Sequence, residues 1–356
     1  MLWKLPALAA AGLLLSHPTG VQAAYKNWPS YNNTLTSERY AALDTVDSKN
    51  VAGLKVVCSF DTGEQMAFQT GLIEIDGALY ATTEHDTFSI DANTCKQNWR
   101  THEEFAPGAL KVNRGLAWLD GRLFRGTADG RIIAYAAKNG KPLWSTTIAD
   151  PAKGESVPAA PIAWDGLVFI GNAGGDNKGV KGRMYALDAK TGHVVWEFYM
   201  VPKAPDDAAR GPEAPGPRSN FASSWKNAKG IPISGGATWT SYSLDPVKGL
   251  LYVPGGNPAP DFAKAPRPGT NLLTGSIVVL DAKTGAYQRH FQLVARDFHD
   301  WDVSSAPVLF LNRVGHRMLA EAPKDGHLYL IDLNNGRTLY RTPVTTVSNV
   351  EAPMTA

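Results

Sequence analysis

One short pattern recurs five times along this 356-residue chain and limits its fold more than any other feature. The copies are Asp91-Ala-Asn-Thr-Cys-Lys-Gln-Asn-Trp99, Ala136-Ala-Lys-Asn-Gly-Lys-Pro-Leu-Trp144, Asp188-Ala-Lys-Thr-Gly-His-Val-Val-Trp196, Asp281-Ala-Lys-Thr-Gly-Ala-Tyr-Gln-Arg289 and Asp332-Leu-Asn-Asn-Gly-Arg-Thr-Leu-Tyr340. Each runs eight residues from first to last position, and four of the five carry Gly four residues after the first. The last position is Trp three times and Tyr once. This is a hairpin signature. An alternating strand such as Arg183-Met-Tyr-Ala-Leu187 enters a turn in which Gly192 supplies positive φ. The next strand then delivers Trp196 at a fixed depth, where an aromatic can dock on a neighbouring unit and hold a radial array together.

The first positions are separated by 45, 52, 93 and 51 residues. A spacing near 50 residues suits one four-stranded blade. The long gap holds a Pro/Gly-rich stretch from Pro202 to Pro232. It reads as one blade with an insertion, or as two blades with one degenerate turn. A weaker match, Phe60-Asp-Thr-Gly63, precedes the series. A second repeating strand starts at Gly and places an aromatic fourth: Gly77 to Thr82, Gly121 to Gly126, Gly166 to Gly171 and Gly249 to Pro254. The expected class is all-β and the expected architecture a β-propeller. A β-sandwich with similar hairpins is the competing arrangement, and the fixed eight-residue spacing disfavours it.

With 44% hydrophobic and 19% charged residues the composition is globular. A net charge of +2 with no long Lys/Arg run gives no sign of nucleic-acid binding. Residues 1–23 read as a secretory signal: Lys4, an apolar run from Leu5 to Leu15, and Val21-Gln22-Ala23 as cleavage site. That run is too short to span a membrane, and no later segment is expected to span. An exported, periplasmic chain from residue 24 is expected. Cys58 and Cys95 could pair there. No C-x-x-C-H motif offers a site for a c-type haem.

The turn-and-Trp repeat resembles that of the pyrroloquinoline-quinone (PQQ) dependent alcohol dehydrogenases, the methanol and ethanol dehydrogenase family. Five local segments carry the resemblance further. They are Val112-Asn-Arg-Gly-Leu-Ala117, Gly235-Gly-Ala-Thr-Trp-Thr-Ser-Tyr-Ser-Leu-Asp-Pro246, Gly255-Gly-Asn-Pro-Ala-Pro260, His299-Asp-Trp-Asp-Val-Ser304 and Ala322-Pro-Lys-Asp-Gly-His-Leu-Tyr329. The resemblance implies an eight-bladed propeller, of which about six blades are present here, with the quinone and a metal ion on its axis. It assigns cofactor contacts to Arg114, Trp239 and Lys324. It assigns metal ligation to Asn257 and Asp302, and the role of general base to Asp302. These residue types suit the chemistry. A guanidinium pairs with carboxylate and carbonyl oxygens, an indole face stacks on a flat ring, and carboxylate and amide oxygens hold a hard cation. Ser304 stands where members that use a lanthanide carry a second Asp, so calcium is expected. His299 has no role to carry over.

Three departures stand against the pattern. The family's metal-binding Glu aligns with Asn177, an amide that adds no charge, beside Asp176. The vicinal disulfide of many members would fall at Gly108-Ala-Leu-Lys111, which has no Cys. The chain also ends soon after the fifth turn, so the propeller is expected to be incomplete at its C-terminus. The resemblance implies oxidation of a small-molecule alcohol and a soluble c-type cytochrome as electron acceptor. The alternatives are a non-catalytic, protein-binding scaffold and a degenerate dehydrogenase.

Overall fold

The computed structural model describes residues 27–105, 112–217, 221–346 and 350–351. The signal segment and Gly108-Ala-Leu-Lys111 lie outside these residues. Five antiparallel four-stranded sheets follow one another along the chain. The first blade comprises Ile73–Ile75, Ala78–Thr82, Asp86–Asp91 and Gln97–His102. The second comprises Ala117–Leu119, Arg122–Gly126, Arg131–Ala136 and Pro142–Thr147. The third comprises Ile162–Trp164, Leu167–Gly171, Arg183–Asp188 and Val194–Tyr199. The fourth comprises Ser243–Asp245, Leu250–Pro254, Ser276–Asp281 and Tyr287–Gln292, and the fifth Val308–Leu311, Arg317–Glu321, His327–Asp332 and Arg337–Pro343. The 93-residue gap is therefore a single blade with insertions before its first strand and between its second and third. The described residues hold five such sheets, close to the six or so expected, and Phe60-Asp-Thr-Gly63 lies in no strand.

Each repeated turn joins the third and fourth strands of a blade. Where the leading residue is Asp it accepts backbone N–H bonds: Asp188 Oδ1 takes those of Lys190 and Thr191 at 3.0 and 2.7 Å. In every blade the strand pairing then slips by one residue just before the docking position. Ala134 faces Trp144 while Tyr135 faces Pro142, so Leu143 is left over as a bulge. That extra residue turns the next side chain across to the adjacent sheet. It also explains why Leu143, Val195 and Leu339 are exposed.

The docking itself repeats to within a tenth of an ångström. Nε1 of Trp99, Trp144 and Trp196 donates to the carbonyl of Ala137, Ala189 and Ala282, at 3.0, 3.1 and 3.1 Å. Each acceptor is the second residue of the next blade's turn. Within its own blade each indole lies 5.8 to 6.1 Å from the second-strand aromatic, which is Tyr80, Phe124 or Phe169. Where the last position is Arg289, its Nη2 makes the same bond to Leu333 O at 2.8 Å. The turn glycines have two tasks. Gly140 and Gly192 have φ of 70° and 77°, and a Cβ there would stand 2.4 and 2.6 Å from the incoming indole. Apolar cores fill the spaces between adjacent blades: Leu123, Ile133 and Tyr135 with the first, Phe124, Phe169 and Leu251 through the middle, Tyr252 and Leu319 with the last. Cys58 and Cys95 are disulfide-bonded, which ties the N-terminal segment to the first blade's turn.

Candidate cofactor and active site

The segments that enter the first strands of the second to fifth blades, and those that link second to third strands in the third to fifth, come together. They enclose a cavity of about 350 Å³, within the usual range for small-molecule sites. Arg114 precedes the second blade, and Asn177 lies between the second and third strands of the third. Trp239 precedes the fourth blade, and Asn257 interrupts that blade between its second and third strands. Asp302 precedes the fifth blade, and Lys324 lies between its second and third strands. All six residues singled out in the sequence line this one cavity.

The Trp239 ring is the centre of the arrangement. The Arg114 guanidinium lies 4.7 Å from its centroid and the Lys324 ammonium 5.5 Å. Arg114 Nη1 also donates to the Trp239 carbonyl at 3.4 Å. Burial pulls the Arg114 pKa below the ordinary guanidinium value, and among the described residues no carboxylate is paired with it. A half-buried cation of this kind suits an anionic ligand.

Asp302 is nearly sealed from solvent, at 3% exposure. Its Oδ1 accepts the Asn257 N–H at 2.7 Å and its Oδ2 the Lys324 ammonium at 2.7 Å. Gly256 permits the approach, because a Cβ there would stand 2.8 Å from Asp302 Oδ1. Burial lifts the Asp302 carboxyl to about 6, against the opposing pull of Lys324. A base with that pKa is ionised at neutral pH and still able to take a proton. Lys324 is shared with Asp300, whose oxygens lie 3.0 and 3.1 Å from Nζ, and these acids raise the Lys324 pKa.

Oxygen-bearing side chains lie along the same part of the cavity as Asp302. Asn257 is 4% exposed, and its Nδ2 donates to Asp261 Oδ1 at 3.0 Å and to Pro258 O at 3.3 Å. Asp176, on the cavity rim, interacts with Asn257 and Asp261. Burial, then the charges of Asp176, Asp300 and Asp302, push Asp261 up to about 7, and burial followed by Asp300 raises Asp176. Crowded carboxylates with raised pKa values are the state that a bound dication relieves. Asn177 lines the cavity, and its Nδ2 donates to Gly154 O at 3.0 Å. Asn257, Asp302 and Asp176 are the oxygen donors that would suit a hard cation, and beside the uncharged Asn177 the carboxyl groups are those of Asp176 and Asp261. Sequence reasoning passed over Asp261 and Asp300. Asp300 is the first acid of the quoted His-Asp-Trp-Asp stretch, and Asp261 is the residue just after the Gly255 to Pro260 turn. His299 stacks on Trp301 at 4.1 Å, away from the cavity lining.

Residues 28–355 match the glucose/ethanol/alcohol dehydrogenase β-propeller domain of the PQQ group, and the chain belongs to that family. Among curated relatives, it is 32% identical to quinohemoprotein alcohol dehydrogenase ADH IIB of Pseudomonas putida, over 94% of this chain and 49% of the relative. It is 34% identical to the dehydrogenase subunit of the quinone alcohol dehydrogenase of Acetobacter aceti, over 88% of this chain and 45% of that subunit. A solved europium-containing methanol dehydrogenase superposes with a TM-score of 0.79 at 27% identity, over 90% of this chain and 58% of the other. The chain spans about half the length of the curated relatives it matches.

Proposed function

We propose that this chain is the propeller of a periplasmic quinoprotein dehydrogenase that oxidises an alcohol to an aldehyde or ketone, holds PQQ and a calcium ion, and passes electrons to a soluble c-type cytochrome. One observation carries the reading. Six residues spread from position 114 to 324, on four blades, converge on a single cavity and include a stacking ring, two cations, a buried acid and two amides. Relatives named as quinone-dependent alcohol dehydrogenases support the reaction class. The Cys58–Cys95 disulfide and the N-terminal signal pattern support export to an oxidising compartment.

The residues divide the work. Trp239 offers a flat apolar face, and Arg114 and Lys324, which lie beside it, would pair with anionic oxygens at its edge. Asn257 and Asp302, with Asp176 and Asn177 nearby, present oxygens to the cation, and Ser304 adds no further carboxylate, which favours calcium. PQQ, when bound, would supply the two-electron acceptor, and a cation held beside it would supply Lewis acidity. Asp302 takes the hydroxyl proton of the alcohol, with one of its oxygens oriented by the Asn257 N–H and the other by Lys324. Lys324 stabilises negative charge as it develops beside Trp239.

The test is reconstitution of the exported chain with PQQ and calcium, followed by dye reduction with a panel of primary and secondary alcohols. Activity in wild type and its loss in Asp302→Asn is the expected result. A chain that binds PQQ yet reduces no dye would be a degenerate dehydrogenase. One that binds neither PQQ nor calcium would be a scaffold.

A further inference from the structure

We infer that Asp261 is the positioning residue of the cation site: it holds the Asn257 amide in the orientation that presents its oxygen to the ion. The inference rests on the PQQ and calcium reading above and deepens it at one residue. Three observations support it. The first is the bonding of Asn257. Its backbone N–H is taken by Asp302 Oδ1, and its amide nitrogen by Asp261 Oδ1 and Pro258 O. The amide oxygen is the donor atom left over. Rotating the amide by half a turn would set that oxygen against the Asp261 carboxylate and strand its N–H₂. The carboxylate therefore selects one orientation of a side chain that is 4% exposed and lines the cavity.

The second observation is how firmly the local backbone is held. Pro258 and Ala259 pair with Gly235 and Ser234. Arg267, 1% exposed, donates to Pro260 O at 2.8 and 3.2 Å, to Asp261 O at 3.2 Å and to Asn271 Oδ1 at 3.1 Å. This guanidinium clamps the main chain of the turn and leaves the Asp261 carboxylate free to reach back to Asn257. The third is charge. Lys324 is bonded to Asp302 and Asp300, whereas among the described residues no Lys or Arg is paired with Asp261 or Asp176. Carboxylates placed behind metal ligands in this way commonly govern affinity by about 10- to 100-fold.

Calcium titration by calorimetry, on the PQQ-loaded chain, tests this without reference to turnover. Asp261→Asn, nearly isosteric, should weaken calcium binding by about 10-fold or more, with the thermal midpoint and circular dichroism of wild type, and Asp261→Glu should restore most of the affinity. Asn257→Ala serves as the reference for loss of the ligand itself. Calcium affinity in Asp261→Asn within twofold of wild type, while Asn257→Ala loses binding, would overturn the inference and leave the functional reading standing. Wild-type protein that takes up PQQ but no calcium would sink the cation reading, and Asp261 with it.

Discussion

At the periphery, Trp99, Trp144 and Trp196 each make one and the same bond to the next blade's turn. At the hub, Arg114, Trp239, Asn257, Asp302 and Lys324 each occur once and answer to no period. The peripheral contacts depend on spacing along the chain, so a bulge and a glycine in each hairpin suffice to reproduce them. The hub depends on convergence, since residues as far apart as 114 and 324 must reach one cavity from different blades. A strict repeat therefore builds the frame on which non-repeating chemistry is mounted, and stability and chemistry should respond to different substitutions.

The largest expected effect is at the hub. Asp302→Asn should lower alcohol oxidation by roughly 10²- to 10⁴-fold while the melting curve stays close to wild type. In wild type the rate should rise with pH as the Asp302 carboxyl ionises, near 6 or lower once a cation is bound. Next comes the periphery. Trp196 is 2% exposed, and Trp196→Ala should cost about 3–5 kcal/mol of stability, read from denaturant curves, with PQQ affinity retained by the fraction still folded. Trp239→Ala is the reciprocal variant. It should weaken PQQ binding by about 2 kcal/mol, seen by absorbance titration, with little loss of stability. If Trp196→Ala and Trp239→Ala each impaired both properties equally, the division between rim and hub would fail.

A smaller effect separates stability from chemistry by pH. Glu321, 3% exposed and bonded to Ser305 Oγ at 2.7 Å, is raised by burial from 4.5 to about 8. The fold favours its neutral form, so that stabilisation is complete below 4.5 and is lost as pH rises through 8. Glu321→Gln should match wild type in Tm at acid pH and exceed it increasingly toward pH 8. The smallest effect is expected at the substituted docking position. Arg289→Ala removes the bond to Leu333 O and should cost about 1 kcal/mol, less than any of the three Trp variants. A larger loss would mean that the guanidinium is a full equivalent of the indole.

The docking frame was legible because it is local. Turn, glycine and Trp lie within one hairpin, and the aromatic fourth in the second strand of the first three blades is the partner of the indole. The bulge that aims the indole was concealed in the eight-residue spacing, since sequence alone does not separate turn residues from an unpaired strand residue. Blade number was less legible. Phe60-Asp-Thr-Gly63 has the turn residues but joins no strands. At the hub, the matched segments placed Arg114, Trp239, Asn257, Asp302 and Lys324 in one cavity. Asp261 escaped notice because its contact arises from a turn folding back within four residues, under the clamp of Arg267. Asp300 escaped because its carboxylate matters only once Lys324 is beside it.

The peripheral joint also has a polarity and a common gauge. A blade offers its indole forward and receives the preceding one on its turn, and the fittings on both sides are alike from blade to blade. Excising the second blade whole would bring Trp99 to the turn at Asp188, which has the alanine carbonyl and the glycine it requires. The first three seams would therefore accept such a deletion, at the cost of the group that the excised segment carries, Arg114 among them.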